Sequence, residues 1–271
     1  MDDTSLNRLL EYFNLSWKGY RKVRKGVKKR IARHMQMLEQ NRMEDYLEMI
    51  RQDEEARKIC FQLLSVSISR FFRDKYLWNS LETDIIPTLI TDFPNETKFK
   101  VWSCGCARGE EVYSFLMVWK NCKNSGYKIP DIEIFATDMN PEYLEMAKKG
   151  VYELRSLKEL PEFFIEKFFM KVRGKKSYRI HFGLKEKVIF KCHDFIKESS
   201  PLRKFHIIFV RNNLLTYYNP PLRDNTLEKI IAALLPGGAL VVGSHEKVSQ
   251  TRFCLKRHPQ ITCLYFKKKT C

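Results

Sequence analysis

Apolar positions in the first third of the chain recur at helical spacing. Leu6, Leu9 and Leu10 stand at positions i, i+3 and i+4, which lie on one face of a helix. The same period continues to residue 90, with an interruption over residues 65–74. The pattern therefore predicts a small, all-helical first domain over residues 1–90.

From residue 99 onward, short apolar runs alternate with helical patterns, which is typical of a parallel sheet whose strands are joined by helices. The predicted strands cover residues 100–103, 131–136, 187–191, 206–210, 239–243 and 260–266. The predicted helices cover residues 111–121, 141–149, 157–169 and 222–235. Residues 171–190 predict a β-hairpin insert, and Pro236-Gly237-Gly238 predicts a turn. The fold class is therefore α/β, with a mostly parallel sheet in a second domain over residues 91–271.

A loop of small residues follows the first strand of this second domain. Residues 103–109 read Ser-Cys-Gly-Cys-Ala-Arg-Gly, and Glu110-Glu111 open the next helix. Glycines let a ligand approach the backbone closely. The loop lacks the Lys-Ser/Thr pair of a P-loop and the spacing of a dinucleotide fingerprint, and its carboxylates repel phosphate. It suits a ligand with a cationic end, such as S-adenosylmethionine, although a plain strand-to-helix turn fits the same residues.

Acidic residues follow two further strands, at the edge of the sheet where open α/β folds bind ligands. Asp138 ends the second strand, where its carboxylate can accept both ribose hydroxyls of an adenosine. An NAD site would place its acid there too, and a helix cap is the structural alternative. Asp194 can meet an adenine amino group and Phe195 can stack on the ring, while a turn is the alternative for Asp194.

The chain is strongly basic, with a formal net charge of +17, which implies an acidic partner: nucleic acid, an anionic membrane or an acidic protein surface. Residues 18–33 hold nine basic side chains and no acidic one. Tyr20, Val23, Val27 and Ile31 give this stretch one apolar stripe, so we expect a helix with one packed face. The rest of its surface is either a docking surface for an acidic protein or a solvated face.

The rest of the sequence bears on cellular location, membrane insertion and metal binding. The acidic start Met1-Asp2-Asp3 leads into no apolar leader segment, and no apolar run is long enough to span a bilayer. No pair of cysteines has zinc-finger spacing. We therefore expect a cytoplasmic protein that does not insert into the membrane and holds no metal.

Taken together and in this order, the motifs resemble the CheR family of chemotaxis receptor methyltransferases. These enzymes transfer a methyl group from S-adenosylmethionine to glutamate carboxylates of receptors and release S-adenosylhomocysteine. The resemblance covers nearly the whole chain and implies a Rossmann-like class I methyltransferase domain. Its motifs are Ser69-Arg70-Phe71-Phe72-Arg73-Asp74, Val101-Trp102-Ser103 through Gly109-Glu110-Glu111, Ala136-Thr137-Asp138, Gly150-Val151-Tyr152, Phe209-Val210-Arg211-Asn212 and Gly243-Ser244-His245-Glu246.

The resemblance implies a role for each matching position. Ser67, Ser69 and Arg73 would close over the cofactor, with Arg73 on its methionine carboxylate. Glu111 would take the ammonium group, Asp138 the ribose, and Asp194 with Phe195 the adenine edge. Arg211 and Asn212 would line the cleft between cofactor and substrate. The chemoreceptor's cytoplasmic helices would be the acidic protein substrate, met by the basic helix 18–33 and in part by the hairpin insert.

Departures from the family pattern concern the acceptor more than the cofactor. The family usually has Asn and Thr where Ser67 and Ser69 stand, and the order Gly-His-Ser-Glu at residues 243–246. The family tyrosine beside the reacting methyl falls on Thr216, so either Tyr217 serves in its place or the acceptor site differs. With Tyr217 in that role, the catalytic set is Arg73, Arg211 and Tyr217.

Two rival functions remain in view. The net charge and Asn219-Pro220-Pro221-Leu222 suggest a nucleic-acid methyltransferase, whose Asn-Pro-Pro-aromatic motif should directly follow the strand 206–210. Arg211-Asn212-Asn213 occupy that place and the aromatic is absent, which disfavours nucleic acid as a partner. The Thr216 departure motivates the other rival, a non-catalytic signalling module that binds S-adenosylmethionine.

Overall fold

A computed structural model describes residues 1–67, 69–124 and 129–270. The chain divides into two compact units. The first unit comprises Met1–Ser67 with Asn212–Asn225, and the second comprises Ile68–Arg211 with Thr226–Cys271.

Helices occupy most of the chain before the first strand. They are α1 (Asp3–Tyr12), α2 (Arg24–Met37), α3 (Met43–Gln52), α4 (Glu54–Leu64), α5 (Lys75–Ser80), a π-helical turn (Leu81–Ile85) and α6 (Ile86–Asp92). Leu6, Leu9 and Leu10 are each 0% exposed, so the predicted apolar face of α1 is fully packed. Asp2 and Asp53 cap α1 and α4 by accepting hydrogen bonds from backbone N–H groups of the first turn.

The basic segment 18–33 is a helix only in its second half, which corrects the sequence prediction. Residues 17–23 form turns, and α2 begins at Arg24. The physical reason lies just upstream, where the Ser16 N–H donates to the Tyr217 carbonyl at 2.8 Å and Leu15 bridges Tyr218. This pairing holds the backbone extended. The predicted apolar stripe is confirmed at Tyr20, Val27 and Ile31, which are buried, while Val23 is only half-buried.

The second unit is built on a seven-stranded sheet in the order β6-β2-β1-β7-β8-β10-β9. Its strands are β1 (Lys98–Cys104), β2 (Asp131–Asp138), β6 (Val188–Cys192), β7 (Phe205–Val210), β8 (Leu234–Val242), β9 (Leu255–Arg257) and β10 (Leu264–Lys267). The strands β6, β2, β1, β7 and β8 run parallel, and β10 runs antiparallel to both of its neighbours, β8 and β9. The helices of this half of the chain are α7 (Glu110–Asn124), α8 (Pro141–Lys149), a 3-10 turn (Leu154–Leu157), α9 (Glu162–Phe168), α10 (Phe182–Lys185), α11 (Leu214–Tyr217) and α12 (Pro220–Ala232). The α/β fold class with a mostly parallel sheet is therefore confirmed.

The inserted hairpin is part of a second, three-stranded antiparallel sheet. Its strands are β3 (Val151–Glu153), β5 (Ser177–Ile180) and β4 (Phe169–Lys171), in the order β3-β5-β4. The predicted insert over residues 171–190 thus contains β5 and the turn before it, while its last residues already belong to β6.

Three sequence predictions in this unit need correction. Pro236-Gly237-Gly238 is an irregularity within β8 and not a turn between elements, since the register with β7 shifts between Phe205 and Ile207. The helix predicted over 157–169 is interrupted, because Pro161 stands at the cap of α9. The closing strand over 260–266 is β10 at Leu264–Lys267, and its antiparallel partner β9 was not predicted.

The compact second unit begins earlier in the chain than the predicted domain boundary at residue 90. Residues 69–92 pack onto the sheet: the Trp78 ring stacks on Phe209 of β7 with ring centroids 6.2 Å apart. Buried aromatic area of this kind is a strong packing contribution. Within the described ranges, no helix has the length and apolarity needed to cross a membrane.

Candidate active site

The candidate site lies at the carboxyl ends of the two central strands of the sheet. From β1 the sheet continues to β2 on one side, and from β7 it continues to β8 on the other. The order in which successive strands are added to the sheet thus reverses between β1 and β7, and such a switch point is where open α/β sheets bind ligands. The loop of small residues over 103–109, called the glycine loop from here on, leads out of β1, and Arg211 follows β7.

The glycine loop is held by main-chain hydrogen bonds to the neighbouring strand. The Gly105 and Cys106 N–H groups donate to the Thr137 carbonyl at 2.8 and 2.9 Å. Gly105 and Gly109 have φ angles of 75° and 84°, where a side chain is strained. A Cβ on Gly109 would also lie 3.0 Å from the Ala147 Cβ. The predicted tight turn is therefore required by both backbone conformation and packing.

Glu111 lies in the first turn of α7 and joins two strand ends. Its Oε1 accepts a hydrogen bond from the Ser103 hydroxyl at 2.9 Å, and its Oε2 pairs with the Arg211 Nη1 at 3.0 Å. The side chain remains partly exposed. A carboxylate fixed on both sides is suited to hold a ligand ammonium in one position.

Glu110, one residue earlier, is a different kind of carboxylate. It is 1% exposed, and its Oε2 has no hydrogen-bond partner among the described residues. Burial raises the pKa of this carboxyl, while backbone and Ser69 hydroxyl hydrogen bonds and the charge of Arg108 act in the opposite direction. The sequence pattern counted Glu110 with Glu111 among the carboxylates that suit a cationic ligand, but gave it no contact of its own. Its burial below the loop indicates a structural contribution to the site.

Asp138 ends β2, and its carboxylate accepts a hydrogen bond from the backbone of the glycine loop. Its Oδ2 accepts a hydrogen bond from the Ala107 N–H, and its Oδ1 accepts one from the Asn140 N–H, both at 2.9 Å. Asn140 is itself the N-cap of α8, so Asp138 does not have the helix-cap role considered from the sequence. Burial raises the pKa of Asp138 and the backbone donors lower it. Each carboxylate oxygen keeps a lone pair for a further donor.

Asp194 and Phe195 follow β6, the strand beside β2. The His193 N–H donates to the Asp138 carbonyl oxygen at 3.1 Å, so the ends of the two strands are joined. The Asp194 Oδ1 accepts from the Ile196 N–H at 2.9 Å. Asp194 therefore acts as the turn residue that the sequence offered as its alternative. Its role at the adenine edge stays a prediction, as does that of the half-buried Phe195.

The segment after residue 68 brings Arg73 and its neighbours to the same end of the sheet. The Arg73 carbonyl accepts hydrogen bonds from the Trp78 indole at 2.8 Å and from the Arg211 Nη2 at 3.4 Å. Asp74, for which the motifs imply no role, pairs with the Arg211 Nη2 at 2.6 Å. The structure thus joins Arg73, Asp74, Glu111 and Arg211 into one cluster. The clue available in the sequence was that Asp74 directly follows Arg73 in the motif.

Three predicted site residues belong to the first unit. Ser67 is half-buried, and its hydroxyl has no hydrogen-bond partner among the described residues. Asn212 has a left-handed φ of 54°. Tyr217 is the last residue of α11, and its ring meets the Tyr20 ring edge-on with centroids 5.1 Å apart. Their assignment to the site stays a prediction. No group of three or more potential metal ligands occurs in the ranges described above.

Comparison with known proteins gives a consistent result. The family described as "CheR methyltransferase, SAM binding domain" matches residues 67–261, more than half of the chain. A chemotaxis protein methyltransferase of Listeria monocytogenes is 30% identical over 186 residues, which are 69% of this chain and 67% of that protein. Chemotaxis protein methyltransferase 2 of Vibrio cholerae is 28% identical over 282 residues, covering 97% of this chain and 93% of that protein. A 104.1 kDa protein of Rhodobacter capsulatus is 27% identical over 250 residues, and the chain spans 26% of its length.

Proposed function

Because this chain belongs to the CheR methyltransferase family, whose S-adenosylmethionine-binding domain it carries, we propose that it forms methyl esters on glutamate carboxylates of chemoreceptors. The observation that carries the proposal is the pair of carboxylates beside the glycine loop. Glu111 lies in the first turn of α7, after β1, and Asp138 ends the neighbouring strand β2. Each carboxylate is fixed by two hydrogen bonds or ion pairs.

The side chains around the loop fit S-adenosylmethionine by their chemistry. A carboxylate suits the ammonium group, so Glu111 is the residue to hold it. Asp138 has acceptor capacity left for two ribose hydroxyls. Arg73 is the guanidinium for the methionine carboxylate, because such pairs form two parallel hydrogen bonds. Ser67, Ser69, Asp194, Phe195 and Asn212 complete the proposed cofactor set. When bound, the cofactor supplies an electrophilic methyl group on a positively charged sulfur.

The chain's own contribution to methyl transfer is alignment and exclusion of water. A glutamate carboxylate is already ionised at pH 7, so the acceptor needs no general base. The Arg211 side chain is nearly buried and is held by the carboxylates of Asp74 and Glu111, so we propose that it lines the cleft between cofactor and acceptor in a fixed position. Holding the acceptor oxygen in line and removing its water shell are the effects that accelerate such a reaction.

Tyr217 is proposed to stand in for the family tyrosine missing at Thr216. If it aligns the acceptor, Tyr217→Phe should lower kcat about tenfold and leave the affinity for S-adenosylhomocysteine unchanged. Tyr12→Phe, in the same unit, is the matched control. An unchanged kcat for Tyr217→Phe would mean that the acceptor site is built differently.

The exposed basic side chains of residues 18–33 are the proposed contact for acidic receptor helices. Arg24, Lys28 and Arg30 are already engaged by Trp17, Asp3 and Leu63, while Lys22 and Lys29 are exposed. Reversing the charge of Lys22 and Lys29 should raise the KM for the acceptor and weaken its salt dependence. The same change at Lys58 of α4 should do neither. A cytoplasmic location follows from this choice of partner and is part of the proposal.

The decisive experiment combines binding with labelled methyl transfer. We expect calorimetry to detect tight binding of S-adenosylmethionine and S-adenosylhomocysteine. Radiolabelled methyl should then pass to the cytoplasmic fragment of a chemoreceptor and be released as methanol by mild base, as from an ester. Base-stable label on nucleic acid would support the rival methyltransferase, and binding without transfer to any acceptor would support the signalling module. Absence of cofactor binding would refute all three.

A further inference from the structure

Arg211 shares its guanidinium between two carboxylates that are far apart in the sequence. Its Nη1 pairs with the Glu111 Oε2 at 3.0 Å and its Nη2 pairs with the Asp74 Oδ2 at 2.6 Å. The Arg211 side chain is 3% exposed, and its plane lies over the Trp78 ring, 5.6 Å from the ring centroid. The Ser244 hydroxyl donates to the other oxygen of Asp74 at 3.4 Å.

Because its guanidinium is divided between two carboxylates, Arg211 does not bind Glu111 through both Nη groups. Arginine prefers to bind one carboxylate with two parallel hydrogen bonds. If both Nη groups turned to Glu111, they would cover the carboxylate that has to receive a cationic ligand. The bond to Asp74 draws Nη2 away, so Glu111 gives Arg211 only one oxygen.

We infer that Asp74 is a positioning residue for cofactor binding: by holding one arm of Arg211, it keeps the Glu111 carboxylate open to the ammonium group of S-adenosylmethionine. The inference rests on the proposed function, in which Glu111 receives that ammonium. Asp74 acts on the cofactor through Arg211 and Glu111 and is not itself a catalytic residue.

The backbone around Asp74 is arranged to keep it in this place. Phe72 and Asp74 have φ angles of 51° and 68°, and a positive φ is a strained conformation for an aromatic residue. The Phe72 N–H donates to the Ser114 hydroxyl at 3.0 Å, and the Trp78 indole holds the Arg73 carbonyl. A turn fixed by so many contacts positions the Asp74 carboxylate before any ligand arrives.

Asp74→Asn is the sharpest variant, because asparagine tolerates positive φ and keeps the shape of the side chain while removing its charge. We expect its affinity for S-adenosylhomocysteine to fall about tenfold, the effect of weakening one charge-assisted hydrogen bond. Its affinity for methylthioadenosine, which has the nucleoside and sulfur but no ammonium or carboxylate, should match that of the wild type. Asp92→Asn, which removes an exposed carboxylate paired with Lys269 at 3.7 Å, is the matched control.

Glu111→Gln and the double variant separate the inference from the function on which it rests. If Asp74 acts through Glu111, Asp74→Asn should cause no further loss in the Glu111→Gln background. Loss of S-adenosylhomocysteine affinity in Glu111→Gln but not in Asp74→Asn would overturn the inference and leave the proposed function intact. Equal losses for both ligands in Asp74→Asn would also overturn it, because they indicate general loosening. Wild-type affinity in Glu111→Gln would refute the ammonium site itself.

Discussion

Replacing Asp138 by asparagine tests the ribose site that the end of β2 is proposed to form. Each oxygen of the Asp138 carboxylate accepts one backbone N–H at 2.9 Å, from Ala107 and from Asn140. The ionised carboxylate has acceptor capacity for two more donors, which the ribose hydroxyls would fill. The amide of asparagine has a single acceptor oxygen. One of the two backbone donors, Ala107 or Asn140, and one ribose hydroxyl would therefore face the amide NH2 group in place of an acceptor.

The expected loss of affinity follows from those bonds. A hydrogen bond to a charged acceptor contributes about 1.5–3 kcal/mol, and two are weakened or lost on the ligand side. Allowing for the oxygen that remains, we expect Asp138→Asn to bind S-adenosylhomocysteine about 30-fold to 1000-fold more weakly. Stability should fall by about 1–3 kcal/mol, because either the Ala107 or the Asn140 N–H loses its acceptor oxygen.

Calorimetric titration of S-adenosylhomocysteine into the folded variant measures this loss directly, and thermal unfolding checks the fold. Asp131→Asn is the matched control, because Asp131 begins the same strand and forms a surface ion pair with Lys187 at 2.7 Å. That variant should bind like the wild type. If folded Asp138→Asn also bound with wild-type affinity, Asp138 would not hold the ribose, and the assignment of this strand end would be wrong.

Two further predictions concern the fold that supports the site. Burial raises the pKa of Glu110, so the folded protein keeps a proton on this carboxyl at pH values where the unfolded chain has lost it. The protonated Glu110 therefore contributes fully to stability below its pKa in the unfolded chain, and this contribution is lost as the pH rises through its pKa in the folded protein. Glu110→Gln should therefore flatten the decline of thermal stability with rising pH; an unchanged profile would contradict this. Gly19→Ala would place a Cβ 2.1 Å from the Thr216 carbonyl oxygen and should destabilise by about 1–3 kcal/mol in denaturant titrations. Gly26→Ala, whose Cβ meets only the Arg30 Nη1 at 3.9 Å, should instead stabilise α2 by about 0.5–1 kcal/mol; equal effects of the two would refute the contact argument.

Local chemistry made the glycine loop and its surroundings predictable. Gly105 and Gly109 adopt the positive φ angles that glycine allows, and α7 begins with the two glutamates that follow. Pro141 lies in the first turn of α8, as expected for proline at a helix start. These features depend on a few neighbouring residues, and a single sequence contains all the information they need.

Contacts between distant segments could not be read from the same patterns. Arg211 and Asp74 are 137 positions apart, and nothing in the spacing of either motif indicates that they pair. The start of α2 was misplaced for a related reason. Pairing of Ser16 with Tyr217 overrides a helical pattern that the sequence continues without a break. At the start of α2, tertiary contacts therefore outweigh local propensity.

The cluster at the switch point also explains why this fold would select a cationic ligand where related topologies bind phosphates. A helix N-terminus beside a glycine loop attracts anions, because its backbone N–H groups and dipole are positive. Here Glu111 occupies the first turn of α7, and Asp74 adds a second carboxylate against the single charge of Arg211. Within this ion-pair group two carboxylates share one guanidinium, so Glu111 keeps negative charge for an ammonium, while the Arg73 guanidinium is proposed for the carboxylate of the cofactor itself.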